Sequence, residues 1–456
     1  MSVDLVAHDC TVVTPSGRTH GAGVAVDDGT IVALASDDHL PIEDAETVID
    51  GKGRVLVPGL VDPHVHTREP GLEYKADWES ASRAAAAGGI TTIVGMPNTD
   101  PAVDRPSVFR EKIAGGRERS LVDFQSFVAV TSANLDRIAD LDKAGALGYK
   151  IFLGSTVGDV PPPNDGEILE AMEAIETTGK RLGFHEENGE IIEHLEGRAR
   201  EAGRTAPIDH AHSRPVIAER EAVERMITFA AETGAPVHMF HVSSGSAAAA
   251  VDRGKEQGVD VTAETAPHYL WFTESVLKEK GNVARVQPPI RDATEQEQLW
   301  SLGIDGGAID CVATDHAPHT AAEKLLEDPF GDTWSAVSGF VGLETAVPAM
   351  LTFVAEGRLT LEEWVDLHAR RPAAIWDLYP QKGSLQVGTD ADFTIVDPDE
   401  EWTLEERSQL HSKDPVTPFV GETFTGRPHV SVLRGEVVYD QGSFGVSPGF
   451  GRFLER

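Results

Sequence analysis

Pro58-Gly59-Leu60-Val61-Asp62-Pro63-His64-Val65-His66-Thr67-Arg68-Glu69-Pro70-Gly71 is an apolar run that ends by presenting two histidines two residues apart. On a strand, side chains at i and i+2 point to one face, so His64 and His66 can reach the same metal ion. Alone the pair is a weak signal in a chain with 17 histidines. Its weight comes from four residues further along the chain: Lys150, His185, His241 and Asp315 each stand at or near the end of another short apolar run.

Working outward, residues 57–380 alternate strand-like runs with helical stretches. Eight candidate strands end near His66, Met96, Val130, Phe152, His185, His241, Ala266 and Thr314. Helical segments lie between them, among them 81–87, stopped by Gly88-Gly89, and 213–231, with Arg214-Pro215 in its first turn. Eight such units predict an α/β fold, a (β/α)8 TIM-type barrel, whose active site gathers at the C-terminal strand ends. The competing doubly wound sheet lacks its Gly-x-Gly-x-x-Gly turn after a first strand. Residues 1–56 and 381–456 show short alternating runs instead, such as 23–26 and 30–34 around Asp28-Gly29, or 391–396 and 429–433. Neither end has enough apolar surface to fold alone. The two are expected to pair into one small β-sandwich beside a hydrolase barrel of residues 57–380.

Composition narrows the function. With 39 basic and 75 acidic residues the formal charge is −36, spread along the whole chain. Such a surface excludes nucleic acid and anionic membrane as partners. It also suggests a halophilic protein adapted to a salt-rich cytoplasm, since at roughly 1 M salt the Debye length shrinks to about 3 Å and self-repulsion is screened. Cys10 and Cys311 match no zinc or redox spacing, so a reducing compartment is expected. The N-terminus lacks a signal-peptide pattern and no run of 18 apolar residues occurs, which predicts a cytoplasmic location. A homodimer is the default closed assembly, although no stretch identifies an interface.

Each candidate residue also has a plain structural reading. A histidine after β-type residues, as at His185 and His241, is most often a satisfied core residue. His238, three positions before His241, falls on the opposite strand face and reads as structural. Lys150 sits in Ala146-Leu147-Gly148-Tyr149-Lys150-Ile151-Phe152-Leu153, where an unpaired ammonium would cost several kcal/mol. A buried amine with a depressed pKa can take up CO2 as a carbamate whose two oxygens bridge two metal ions. Asp315, in Cys311-Val312-Ala313-Thr314-Asp315-His316-Ala317-Pro318-His319, can ligate metal and handle protons; its plain reading is a helix N-cap. Arg68 can grip a carboxylate from the same mouth, and Asn98 can supply neutral hydrogen bonds. Residues 321–338 read as a lid near the site.

The assembled set resembles the amidohydrolase superfamily, its cyclic-amidase branch, and within that branch the dihydroorotases most closely. The resemblance rests on residues 62–71, on Glu73-Tyr74-Lys75, and on Met96-Pro97-Asn98-Thr99. It continues through Ser213-Arg214-Pro215, His241-Val242-Ser243-Ser244, Pro288-Pro289-Ile290-Arg291 and Gly342-Leu343-Glu344-Thr345. It implies that His64, His66, His185, His241, Asp315 and a carboxylated Lys150 hold two divalent metal ions, zinc first among them. It further implies that Arg68, Asn98 and His319 hold a substrate carboxylate. The expected reaction is the reversible conversion of N-carbamoyl-L-aspartate to dihydroorotate in pyrimidine biosynthesis, with a metal-bridging hydroxide and Asp315 as proton shuttle. Gln287 and Pro267-His268-Tyr269 depart from the dihydroorotase pattern. The alternatives are an allantoinase or hydantoinase-type cyclic amidase, and a non-catalytic scaffold that has kept the barrel.

Overall fold

The computed structural model describes residues 3–154, 156–158 and 160–455. Its centre is a parallel barrel. The strands run Leu60–Val65, Ile90–Gly95, Asp123–Ser126 with Val128–Ala129, Tyr149–Phe152, Leu182–His185, Val237–Met239, Val261–Thr265 and Cys311–Val312. Nearly every residue in them is buried, as expected for parallel strands covered by helices outside and by packed side chains inside. The third strand is broken at Phe127: its first half pairs with the second strand and its second half with the fourth. The ring closes where Val65 bridges His316, with His66 N–H donating to the His316 carbonyl at 2.8 Å and His316 N–H to that of His64 at 3.2 Å. Closure thus brings the first His-x-His strand against the Asp315 loop.

Helix boundaries follow local chemistry. Trp78–Ala87 starts at Asp77, whose carboxylate accepts from Ser80 N–H, and stops at Gly88, where a Cβ would lie 2.2 Å from the Leu343 carbonyl oxygen. The helix expected over 213–231 begins later, at Val216, and runs to Thr233. Ser213 instead follows the short helix Pro207–His212, and Pro215 is the N-cap. A residue before proline is held out of the helical region, so Arg214 is left in the junction with its side chain turned inward.

Both termini build one nine-stranded sheet beside the barrel. Val55–Pro58 is its hinge strand, parallel to Val3–Thr14 on one side and antiparallel to Phe393–Thr403 on the other. The expected Asp28-Gly29 hairpin turn is present, both residues having positive φ (48° and 69°), the twist a tight β-hairpin needs. Leu5, Val24, Ile31, Phe393, Ile395 and Val432 form part of its core.

Lys382 fastens this sheet to the barrel. Its buried ammonium lies 2.5 Å from Asp123 at the start of the third barrel strand, 2.7 Å from Asp392 and 2.8 Å from Asp390. Arg434 pairs with Asp123 from the other side. Lys382→Met leaves Asp392 without its cation beside an Asp123 that keeps only Arg434 in a dry site, and a broken buried pair costs about 3–5 kcal/mol. Urea unfolding is expected to show a loss of that size; a loss under about 1 kcal/mol, the worth of a surface pair, would remove this clamp from the account. Among the described residues no helix is long and apolar enough to cross a membrane.

Candidate active site

Asp62 staples the site together. Its buried carboxylate accepts from His64 N–H at 3.0 Å, Thr314 N–H at 3.2 Å and Thr314 Oγ1 at 2.5 Å, so the first and eighth strand ends are held in register. From that base His64 Nε2 and His66 Nε2 approach Asp315 Oδ1 at 3.2 and 3.3 Å. The three ligand atoms lie within 4.8 Å of one another. Each ring is aimed by its other nitrogen: His64 Nδ1 lies 2.6 Å from Glu264 Oε1, and His66 Nδ1 lies 2.7 Å from Asn98 Oδ1. A ring that donates from Nδ1 presents the Nε2 lone pair, as a metal ligand must.

The second pair meets the same way. His185 Nδ1 and His241 Nε2 stand 2.9 Å apart, and His185 Nε2 is held 3.0 Å from Glu187 Oε2. Burial pushes His64, His66 and His241 well below the ordinary histidine pKa, so these rings are neutral. Burial would raise Glu187, but Arg214 at 2.5 Å and the His185 contact hold it down at about 2. His241, Asp315 and Arg68 carry positive φ (38°, 47° and 64°). Such backbone is costly for non-glycine residues and persists where surrounding structure enforces it, often at functional sites.

Lys150 Nζ is buried without a hydrogen-bond partner among the described residues, 3.7 Å from the Phe240 ring centroid. Burial lowers its pKa to about 7, so a large share is free amine at neutral pH. Phe240 supports it from below and also lies 4.8 Å from the His64 ring. Gly183 leaves room for the Phe240 ring, since a Cβ there would be 1.9 Å from it. Without metal, burial raises Asp315 to about 7. The set fits metal ions: neutral imidazoles and a carboxylate converge, with ring nitrogens crowded against Asp315 and against one another, and Lys150 Nζ and His241 Nδ1 have no hydrogen-bond partner among the described residues.

The cleft over this cluster is lined by Arg68, Phe152, Thr156, Val157, Gln287 and Ser338. Arg68 Nε donates to the Pro318 carbonyl at 3.1 Å and Nη2 meets His319 Nε2 at 3.0 Å, whereas Nη1 is buried without a partner among the described residues. His319 is backed by Lys75 Nζ at 3.1 Å, and Lys75 by Glu323 at 2.8 Å. The region read as a lid therefore contributes Glu323 to the support of Arg68. Asn98 is engaged by His66 and Thr156, so its placement suits holding His66.

The structure thus gathers His64, His66, Lys150, His185, His241, Asp315, Arg68, Asn98 and His319 around one cleft or its wall. Sequence reasoning missed Glu264 and Glu187, which aim ring nitrogens, and Asp62, which anchors the His64 backbone to Thr314. The available signal was a carboxylate inside an otherwise apolar strand, as in Val261–Thr265 and Leu60–Val65. His238 is structural as expected, its Nδ1 on Thr262 at 2.8 Å and Nε2 on Glu264 at 3.3 Å.

Comparison with known proteins gives the lineage. A family model described as "Amidohydrolase family" matches residues 55–438. An allantoinase of Deinococcus radiodurans is 38% identical over 100% of this chain and 99% of its own length. An L-hydantoinase of Paenarthrobacter aurescens is 36% identical over 99% and 98%. The solved L-hydantoinase (dihydropyrimidinase) of Arthrobacter aurescens superimposes with a TM-score of 0.95 at 35% identity, covering 100% of both chains. These full-length relatives overturn the dihydroorotase reading and the place in pyrimidine biosynthesis that went with it. That reading took Arg68 as a reader of a ring carboxylate, whereas the Arg68 guanidinium is largely taken up by Pro318 and His319 in the cleft wall. The shared barrel, the metal-ligand pattern and the end-to-end matches have one consequence: the chain belongs to the amidohydrolase family, in its cyclic-amidase branch.

Proposed function

We propose that the protein hydrolyses the ring amide of a five-membered cyclic ureide, allantoin or a 5-substituted hydantoin. The observation that carries this reading is the end-to-end similarity to an allantoinase and an L-hydantoinase at 38% and 36% identity. The cleft's chemistry agrees with a small neutral ring. Apolar Phe152, Val157 and Val286 offer its faces contact, and Arg68, Thr156, Gln287 and Ser338 offer its carbonyl and N–H groups partners.

Two divalent metal ions, zinc first among the candidates, would be held by His64, His66, His185, His241, Asp315 and a CO2-derived carbamate on Lys150, and would polarise the ring carbonyl and activate water. Asp315 then carries the proton from water to the ring nitrogen as the C–N bond breaks, so the ring opens to a carboxylate with a terminal ureido group. Arg68 Nη1 donates to a carbonyl oxygen of the ring, held in place by His319 and Lys75. Burial of the cluster excludes bulk water from these charges and strengthens each contact.

The test is a panel of allantoin, 5-substituted hydantoins, dihydrouracil and dihydroorotate at neutral to alkaline pH. Ring opening of allantoin or a hydantoin, with dihydroorotate at least tenfold poorer in kcat/KM, is expected. Preference for dihydroorotate or dihydrouracil would sink the proposal. Arg68→Ala removes one charged hydrogen bond to the ring, worth about 1.5–3 kcal/mol. On the ureide that the parent opens, kcat/KM is expected to fall roughly 10- to 200-fold; an unchanged value would free Arg68 of this role.

A further inference from the structure

The motif Ser213-Arg214-Pro215 sits outside the metal cluster, yet the Arg214 side chain is buried and touches both halves of the site. Nη1 donates to Glu187 Oε2 at 2.5 Å, and the same oxygen lies 3.0 Å from His185 Nε2. Glu187 Oε1 has no partner among the described residues, so its hold on His185 depends on a carboxylate that Arg214 keeps in place. On the other side lies the Gln287 amide in the cleft wall. The placement that satisfies this amide puts its oxygen 2.8 Å from Arg214 Nη2, 3.3 Å from Arg214 Nε and 3.3 Å from Ser338 Oγ. With the oxygen so held, the amide N–H groups are the end of Gln287 left for a ligand.

Arg214 is itself clamped. Its carbonyl accepts from Arg291 Nη1 at 2.5 Å, and Arg291 also donates to Ser243 Oγ at 2.9 Å and Glu219 Oε2 at 3.0 Å. Glu219 in turn accepts from Ser243 N–H at 2.6 Å and Ser244 Oγ at 2.7 Å. The motifs His241-Val242-Ser243-Ser244 and Pro288-Pro289-Ile290-Arg291 therefore meet at the Arg291 guanidinium, which holds the Arg214 backbone carbonyl.

We propose that Arg214 is a positioning residue serving both ends of the reaction: through Glu187 it fixes the His185 ring with Nδ1 toward His241, and through Gln287 it fixes an amide donor for a substrate carbonyl. The Gln287 half rests on the ureide reading above; the His185 half rests on ligand geometry alone. Glu187→Gln cuts only the first arm and Gln287→Ala only the second, while Arg214→Gln cuts both.

The experiment measures retained zinc after dialysis, the visible spectrum of cobalt-loaded protein, and KM and kcat on the ureide that the parent opens. Glu187→Gln is expected to lose about half its zinc and change the cobalt spectrum while KM stays put. Gln287→Ala is expected to keep zinc and spectrum and raise KM roughly tenfold, the scale of one lost hydrogen bond. Arg214→Gln is expected to do both, and Arg214→Lys, a point charge that cannot reach both partners, to restore one arm at most. Parental zinc, spectrum and KM in Arg214→Gln would overturn the proposal. Should that variant fail to fold, the two single-arm variants decide: parental zinc in Glu187→Gln or parental KM in Gln287→Ala overturns the corresponding arm. If the parent opens no ureide, the functional reading fails, while the zinc and cobalt measurements still judge the His185 arm.

Discussion

Lys150→Met is expected to give a folded protein that retains little metal and loses turnover by about a thousandfold or more. Methionine has similar volume and no charge, and replacing a buried ion by an apolar side chain is often neutral or stabilising. The metal-free variant should therefore unfold no earlier than the metal-free parent. Without the amine the proposed carbamate cannot form, and the proposed link between the two ligand clusters goes with it. Metal chemistry of this type supplies several kcal/mol, about a thousandfold in rate. Labelled bicarbonate gives the complementary view: a carbamate carbon signal is expected in the parent and absent in Lys150→Met. Equal metal content and turnover in the variant would remove Lys150 from the site. A pH signature accompanies the change. With a folded pKa of about 7 against an ordinary 10.5, the folded parent releases a proton that the unfolded chain still binds between those values. The metal-free parent therefore gains stability from this group as pH rises from about 7 towards 10.5, and Lys150→Met should lose that part of the slope.

Asp315→Asn is the second large effect. Asparagine keeps the shape and one oxygen near His64 Nε2 and His66 Nε2 but cannot accept and return a proton. A positioned general acid–base contributes about 10²–10⁴-fold, so kcat is expected to fall within that range while most of the metal stays. Metal analysis and turnover on the same sample separate the two roles. A kcat within tenfold of the parent would contradict proton transfer by Asp315, and loss of metal in step with turnover would make it a ligand alone.

The barrel was legible because its strands obey a simple rule: buried parallel strands are apolar runs, and functional side chains stand at their C-terminal ends. His64, His66, His185, His241 and Asp315 could be picked by that rule without knowing how far apart they fold. Their supporting carboxylates could not: Glu264 acts across strands, and only closure of the ring brings it to His64, 200 positions away, while Glu187, two residues past His185, is turned back onto that ring by Arg214 from a separate segment. The helix expected at 213–231 starts late because Pro215 is its N-cap rather than part of its first turn, and that shift releases Arg214 into the site. Substrate choice was read wrongly for a related reason. An arginine two residues past a ligand histidine looks like a bidentate carboxylate binder, but Pro318 and His319, 250 and 251 positions later, take up Nε and Nη2 and leave Nη1 as the nitrogen without a partner among the described residues.

The central claim is that this cluster, loaded with metal, opens a cyclic ureide. It is tested most directly by stripping the protein with a chelator and following allantoin and hydantoin hydrolysis while zinc is added back in the presence of bicarbonate. Activity absent at the start, rising in proportion to added zinc and levelling at two equivalents per chain is the predicted result. Full ureide hydrolysis by the stripped protein, or none after two zinc ions per chain are bound, would contradict it.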